Sequence, residues 1–146
     1  MATVTVKNIG RLTQKFNKIA NMELEDAMIK ATTLVHGQAK ELAPVDKGNL
    51  AGSIRMEINK RKTELEGRVY TNLEYAPYVE FGTGIRGNGS YPYDIKGLTL
   101  TYHESWAGMQ AQPYMYPSLK NNEKVINQFF KDGVKTKLKE SCKGGK

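Results

Sequence analysis

Apolar residues recur at every third or fourth position along the first part of the chain. The residues that follow this spacing are Ile9, Leu12, Phe16, Ile19, Leu24, Ala27, Met28, Ala31, Leu34, Val35, Ala39 and Leu42. This period places apolar side chains on one face of an α-helix. We therefore predict a helix over residues 9–42, with a kink or break at residues 21–23, where the stripe shifts. Pro44 ends the helix near Ala43, because a residue before proline avoids helical geometry.

Shorter segments alternate apolar and polar residues, which is the period of a half-buried strand. Residues 53–58, 65–71 and 98–102 show this alternation. Only a polar connector separates the first two segments, so we predict that they form an antiparallel hairpin. Before the hairpin, Asp46 and Gly48 predict a turn, because aspartate bonds to nearby backbone amides and glycine tolerates a positive φ.

A second helical stripe begins after Pro117, which suits a first helical position because its missing N–H would be unpaired there. The stripe consists of Leu119, Val125, Ile126, Phe129, Phe130, Val134 and Leu138. We predict one domain over residues 1–140 and a disordered basic tail at 141–146. The order of elements lacks a βαβ unit and indicates an α+β fold, with a long N-terminal helix and a C-terminal helix packed on a small antiparallel β-sheet.

Residues 75–84 concentrate three aromatic residues, one acid and two glycines in a short segment. Pro77 argues against a central strand, because it cannot donate a ladder hydrogen bond. The segment fits either one helical turn or an irregular edge that places Tyr75, Tyr78 and Phe81 in the core. We predict that residues 82–97, which contain five glycines, form a long loop that is functional or mobile.

Glu80 is the acid of this segment, and aromatic residues lie on both sides of it. A buried carboxylate needs a partner such as an arginine, a lysine or backbone amides. We favour a structural salt bridge, which could cross a subunit boundary, over a catalytic role.

Composition leaves two functions open. A hydrophobic fraction of 39% and a mean hydropathy of −0.56 are polar values, which favour a chain that completes its burial against copies of itself. The net charge of +7 fits either a solubilised surface or contact with nucleic-acid phosphates. The single Cys142 cannot form an internal disulfide, which favours a reducing compartment, and no apolar run is long enough to span a membrane.

Catalytic and cofactor motifs find little support. Residues 82–87 match G-x-G-x-x-G, but a dinucleotide-binding turn must open a helix, and the glycines and prolines that follow do not. His36 and His103 lack further ligands at metal-binding spacing. None of the serines has a nucleophile-elbow context. The sequence therefore predicts no catalytic, cofactor-binding or metal-binding residues.

Three segments in order carry a resemblance to a known family. They are A-P-V-D-K-G-N-L at residues 43–50, Y-A-P-Y-V-E-F-G-T at 75–83 and Q-P-Y-M-Y-P at 112–117. Together they resemble the HK97 gp10-like family of tailed-bacteriophage head–tail junction and tail-completion proteins. The resemblance extends over residues 9–138, and Lys47 stands where the family commonly has threonine.

The resemblance implies a non-enzymatic protein that forms a ring, expected to be a hexamer, in the neck or at the head-proximal end of the tail. Its partners would be itself, adjacent neck or connector proteins, and tail-tube or tail-terminator proteins, with non-specific contact to DNA passing through the ring and none to a membrane. It would assemble in the host cytoplasm and end in the virion. The residues that it marks as fold and assembly determinants are Pro44, Asp46, Gly48, Leu50, Tyr75, Tyr78, Glu80, Phe81, Gly82, Pro113 and Pro117. A non-enzymatic, basic nucleic-acid-binding protein is the alternative.

Overall fold

A computed structural model of the chain describes residues 2–7, 21–45, 48–62 and 64–143. Three strands lie in these ranges: β1 (Ala2–Lys7), β2 (Arg55–Lys60) and β3 (Leu65–Thr71). The helices there are α1 (Asn21–Leu42), α2 (Asn49–Ser53), α3 (Ala76–Phe81), α4 (Gly84–Gly87), α5 (Met115–Lys120) and α6 (Glu123–Lys143). Helices and one small antiparallel sheet confirm the predicted α+β class. The predicted helix over residues 9–20 lies outside the described residues.

The sheet has the order β1-β3-β2, and both pairings are antiparallel. In the hairpin, Arg55 lies opposite Tyr70 and Lys60 lies opposite Leu65, so the predicted pairing of these segments is confirmed. Strand β1 pairs with the other edge of β3, and in this pairing Ala2 lies opposite Thr71. Strand β3 is therefore central.

Helix α1 lies across the sheet and also packs against α5 and α6. It approaches β3 closely at Gly67, where a Cβ atom would overlap Thr32 Oγ1 and lie 2.9 Å from Met28 Sδ. Glycine at this position therefore allows α1 to pack directly against β3. Most of the buried apolar residues form one cluster: Met28, Ala31, Val35, Ala39, Ala43, Leu50, Ile54, Leu65, Val69, Ala76, Tyr114, Met115 and Ile126.

The structure corrects the predicted strands in two places. Residues 98–102 do not form a strand; the segment is irregular, and the Tyr102 hydroxyl at its end donates to the Phe81 carbonyl oxygen. The third strand of the sheet is β1, and its alternation of threonine and valine could have indicated it from the sequence. The first hairpin strand begins at Arg55 instead of residue 53, since Ser53 ends α2 and bonds through Oγ to the Leu50 carbonyl oxygen (2.7 Å).

The C-terminal helix is also divided differently from the prediction. Pro117 is the third residue of the separate helix α5, where it still lies in the first turn and its missing N–H still costs nothing. A turn at residues 121–122 separates α5 from α6, which continues beyond the predicted end near Lys139 to Lys143. No helix among the described residues has the length and apolar character needed to cross a bilayer.

Candidate assembly site

The carboxylate of Glu80 is the polar centre of the segment that the sequence singles out. Glu80 is only 2% exposed to solvent. Glu80 Oε2 accepts hydrogen bonds from the backbone N–H groups of Tyr114 (2.8 Å) and Met115 (2.9 Å), and Oε1 accepts one from Tyr116 (3.2 Å). A carboxylate in helix α3 thus caps the first turn of helix α5.

The cap is needed because α5 cannot cap itself. Its N-cap residue is Tyr114, which makes no side-chain cap hydrogen bond. The first N–H groups of a helix have no partner within the helix, and Pro117 lacks this group altogether. Glu80 therefore supplies an acceptor for the three amides at this end, and its negative charge suits the positive end of the helix dipole.

Two local features hold Glu80 in position. Helix α3 begins after Tyr75 with a proline in its first turn, as proline geometry favours, so of the two forms left open for this segment the structure has the helical turn. It ends at Gly82, whose φ of 79° is accessible to glycine and whose N–H donates to the Tyr78 carbonyl oxygen (2.9 Å).

The salt bridge that we favoured for Glu80 is not formed within the described residues, whose ion pairs do not include this carboxylate. Backbone amides, the other predicted class, are its partners. Both carboxylate oxygens accept hydrogen bonds from backbone N–H groups, so the geometry gives Glu80 a structural role at the start of α5.

A row of aromatic rings runs beside the capped carboxylate. Phe81 contacts Tyr91 with ring centroids 5.0 Å apart, Tyr91 contacts Tyr93 at 5.5 Å, and Tyr93 contacts Tyr116 at 5.0 Å. The Tyr91 hydroxyl donates to Glu80 Oε1 at 3.4 Å. These rings connect α3, the loop after α4 and the start of α5, so they hold together the elements that the cap joins.

The aromatic residues of the predicted corner do not all enter the core. Tyr75 and Tyr78 are 44% and 58% exposed, and Phe81 is half-buried. Tyr114 is the tyrosine that is completely buried, and its hydroxyl has no hydrogen-bond partner among the described residues. The prediction was wrong for the first two because Glu80 lies on the side of α3 opposite Tyr75 and Tyr78, so burial of Glu80 leaves these two side chains exposed.

Two tyrosines near Glu80, the half-buried Tyr91 and the buried Tyr114, predict a measurable pH dependence. Burial, followed by the neighbouring Glu80 carboxylate, raises the pKa of both Tyr91 and Tyr114 well above its usual value near 10. The unfolded chain therefore releases these protons at a lower pH than the folded chain, so their contribution to stability is full below about pH 10 and is lost as pH rises above it.

We expect spectrophotometric titration of the folded protein to show late tyrosinate formation that Tyr91→Phe and Tyr114→Phe each reduce. Loss of absorbance from the main transition in both variants would contradict the prediction.

A second feature, which we call the glycine clasp, joins residues 82–87 to residues 106–112. The N–H groups of Thr83 and Met109 each donate to the other residue's carbonyl oxygen, at 2.8 and 2.9 Å. Ile85 N–H donates to the Trp106 carbonyl oxygen (3.1 Å), and Arg86 N–H donates to that of Ala107 (2.9 Å). The clasp closes the base of the loop between its two segments.

Glycines permit this backbone contact. A Cβ atom at Gly84 would lie 2.7 Å from the Trp106 carbonyl oxygen, and one at Gly108 would overlap the Thr83 carbonyl oxygen. A Cβ atom at Gly87 would lie 2.8 Å from the Gly82 carbonyl carbon. The G-x-G-x-x-G match is therefore explained by chain packing, because its three glycines bring backbone segments together.

The predicted loop over residues 82–97 is partly corrected by this geometry. Helix α4 lies within it, and the clasp fixes its beginning. The Tyr102 hydroxyl donates to the Phe81 carbonyl oxygen (2.8 Å), and Ser90 Oγ accepts from Ala111 N–H (2.8 Å). The glycines thus tie the chain to the corner instead of releasing it.

The remaining motif residues have separate positions. Gly48 precedes α2 with the predicted positive φ, of 69°, and Leu50 is buried in the core. Pro44 and Pro113 are half-buried, while Asp46 lies outside the described residues. The structure brings Glu80, Phe81 and Gly82 together with the 113–117 segment and leaves the 43–50 segment to link α1 to α2.

Sequence reasoning missed the residues that complete the site. They are Thr83, Ser90, Tyr91, Tyr93, Tyr102, Gly108 and Tyr116. The density of tyrosines between residues 91 and 116 was a usable signal, but their partners lie far apart in sequence. Among the described residues, no group of three His, Cys, Asp or Glu side chains could hold a metal ion.

Large apolar side chains remain exposed on the clasp. Ile85 is 58% exposed and Trp106 is 56% exposed, and their backbones are hydrogen-bonded to each other. We call these two side chains the clasp surface. Exposed aromatic residues on a fixed backbone lose little conformational entropy when a partner covers them, and tryptophan is common among residues that dominate binding energy.

Comparison with known families gives one match. The HK97-gp10-like model, described as "Bacteriophage HK97-gp10, putative tail-component", matches residues 5–82. The matched part runs from β1 to the end of α3 and stops at the first clasp glycine, so the 113–117 segment lies outside it. Searches of curated proteins and of solved structures gave no match.

Proposed function

The chain belongs to the HK97-gp10-like family of bacteriophage tail components, and from this premise we propose that it is a non-enzymatic assembly protein that forms a ring in the tail. The ring would be homo-oligomeric, expected to be a hexamer, and located at the head–tail junction or the head-proximal end of the tail. The protein would assemble in the host cytoplasm and contact neck, connector, tail-tube or tail-terminator proteins in the virion.

The observation that carries this proposal is the exposed clasp surface on a rigid support. Ile85 and Trp106 project from backbone segments that are hydrogen-bonded to each other. The Glu80 cap and the aromatic row hold the adjoining helices. A surface of this kind is suited to protein contacts, because apolar anchors are presented in one conformation before the partner arrives.

The proposed role of the clasp rests on its own geometry. The matched segment contributes the sheet, α1 and α3, whereas all of the clasp beyond Gly82 follows it. In this proposal the matched fold supplies the ring scaffold, and the clasp surface provides a contact to a neighbouring protein.

The test is the double variant Ile85→Ser/Trp106→Ser. We expect native mass spectrometry and sedimentation to show fewer oligomers than for the unchanged protein, and a phage that depends on the variant to lose most of its infectious titre. The matched control is Ile29→Ser/Val125→Ser, which removes two side chains of 42% and 44% exposure from α1 and α6. The control should assemble and complement normally.

Electron microscopy of virions that carry a tagged chain tests the position. We expect density for the tag at the junction of head and tail, in a ring of copies. Tag density along the whole tail, or none in the virion, would contradict the proposed position. Normal assembly of the clasp double variant would contradict the role of the clasp surface.

A further inference from the structure

One face of α6 carries a line of lysines on the side of the helix opposite the core. Ile126 is buried and Phe129 and Phe130 are half-buried on the side that packs towards α1. At 3.6 residues per turn, the side chains of residues 124, 131, 135 and 139 fall within about 80° of arc on the other side. We call Lys124, Lys131, Lys135 and Lys139 the lysine stripe.

The stripe is exposed and has little compensating charge. All four lysines are exposed, and the ion pairs of the described residues include none of them. The acid beside the stripe, Asp132, is hydrogen-bonded through Oδ1 to Gln128 Nε2 (2.7 Å) and not to a lysine, so one negative charge stands beside the four positive ones. Over about 22 Å of helix, the stripe therefore presents four positive charges in a line.

We propose that this lysine stripe binds the phosphate backbone of duplex DNA. Duplex DNA presents about one negative charge per 1.7 Å along its axis, so a straight line of flexible cationic side chains can contact several phosphates. The contact is independent of sequence, because backbone contacts position a protein without reading base edges.

The composition of the stripe favours duplex DNA over other polyanions. Single-strand binding relies on aromatic side chains that stack on bases, and the stripe has none. Protein interfaces are depleted in lysine at their centres and rely on apolar anchors. By contrast, the exposed face of α1 mixes both signs, with Asp26, Lys30, Lys40 and Glu41. The binding does not require the ring proposed above, because it rests on α6 alone.

The test compares two variants of the full-length chain with equal charge loss. The stripe variant is Lys124→Gln/Lys131→Gln/Lys135→Gln/Lys139→Gln, and the control is Lys30→Gln/Lys40→Gln/Lys62→Gln/Lys96→Gln, which changes four exposed lysines elsewhere. Glutamine preserves helix propensity, and circular dichroism should confirm equal folding. Binding to a short fluorescent duplex is followed by anisotropy at several salt concentrations.

Because it lacks four phosphate contacts, we expect the stripe variant to bind the duplex about tenfold or more weakly, while the affinity of the control stays closer to that of the unchanged protein. For the stripe variant, the slope of log K against log salt should also become shallower by about 3–4, at roughly 0.9 per phosphate. Equal losses in both variants, or no binding to the duplex at about 50 mM salt, would overturn the proposal.

Two competitors separate the remaining alternatives. Tighter binding to a single strand, or displacement of the duplex by polyglutamate at equal charge, would replace duplex DNA with another partner and overturn the inference. The stripe variant should assemble normally, whereas Ile85→Ser/Trp106→Ser should bind DNA normally. Failure of DNA binding can therefore be distinguished from failure of the proposed assembly.

Discussion

Replacing Glu80 with alanine should destabilise the fold by about 3–5 kcal/mol. The substitution leaves the backbone N–H groups of Tyr114, Met115 and Tyr116 without their acceptor at the start of α5. Each unsatisfied buried amide costs about 1–3 kcal/mol, and partial access of water reduces the sum. Urea denaturation gives the free energy of unfolding, and hydrogen exchange should increase at these three amides.

Two further variants separate the cap from general effects of charge and size. Glu80→Gln keeps the shape of the side chain and one acceptor oxygen, but its amide NH2 group faces a backbone N–H donor where the carboxylate had its second oxygen. We therefore expect a loss of stability of about 1.5–3 kcal/mol. Glu74→Ala removes an exposed acid from the same part of the chain and should change stability by no more than about 0.5 kcal/mol. A loss below about 1 kcal/mol for Glu80→Ala would show that α5 does not depend on this cap.

Local patterns were sufficient to predict the main elements. The alternation over residues 65–71 matches β3 at both ends, and the proline at residue 44 correctly limits α1. These features depend on neighbours in sequence, so one chain carries enough information. The alternation over residues 98–102 did not predict the structure correctly, because a strand also needs a neighbouring strand, and tertiary contacts such as the hydrogen bond from the Tyr102 hydroxyl to the Phe81 carbonyl oxygen decide where a segment lies.

The site was only partly predictable because its contacts join distant parts of the chain. The flanking aromatic residues indicated that Glu80 needs a partner, but its amide partners lie 34 to 36 residues later in the chain. The exposure of Tyr75 and Tyr78 likewise depends on which side of α3 faces α5. The sequence indicates that a buried carboxylate needs a hydrogen-bonding or charged partner, whereas tertiary packing decides which group that partner is.

The glycines illustrate how one motif can have different physical causes. In a dinucleotide-binding turn, glycines allow the backbone to approach a pyrophosphate at a helix N-terminus. Here Gly82, Gly84 and Gly87 allow it to approach residues 106–111 or one another. Both uses require the absence of a Cβ atom, so the pattern alone does not distinguish them. The segment that follows the motif decides between them.

We expect Gly108→Ala to open the glycine clasp and to destabilise the protein by about 2–5 kcal/mol. Gly108 has a φ of 64°, which strains any residue with a side chain. The added Cβ atom would also overlap the Thr83 carbonyl oxygen, which is backbone and already accepts from Met109 N–H. Hydrogen exchange should therefore increase at Thr83, Ile85 and Met109, and a denaturant melt gives the total loss.

Gly89→Ala is the matched control, because it separates backbone strain from the close contact. Gly89 has a similar φ of 71°, but a Cβ atom there would meet nothing within 4 Å. It should cost about 1–2 kcal/mol from strain alone and leave exchange in the clasp unchanged. If the two variants lose the same stability and show the same exchange, the contact between Gly108 and Thr83 does not hold the clasp closed. A larger loss of stability for Gly108→Ala, with faster hydrogen exchange only at the clasp amides, would support the close contact at Gly108. It would show that the absence of a side chain there fixes the position of Ile85 and Trp106.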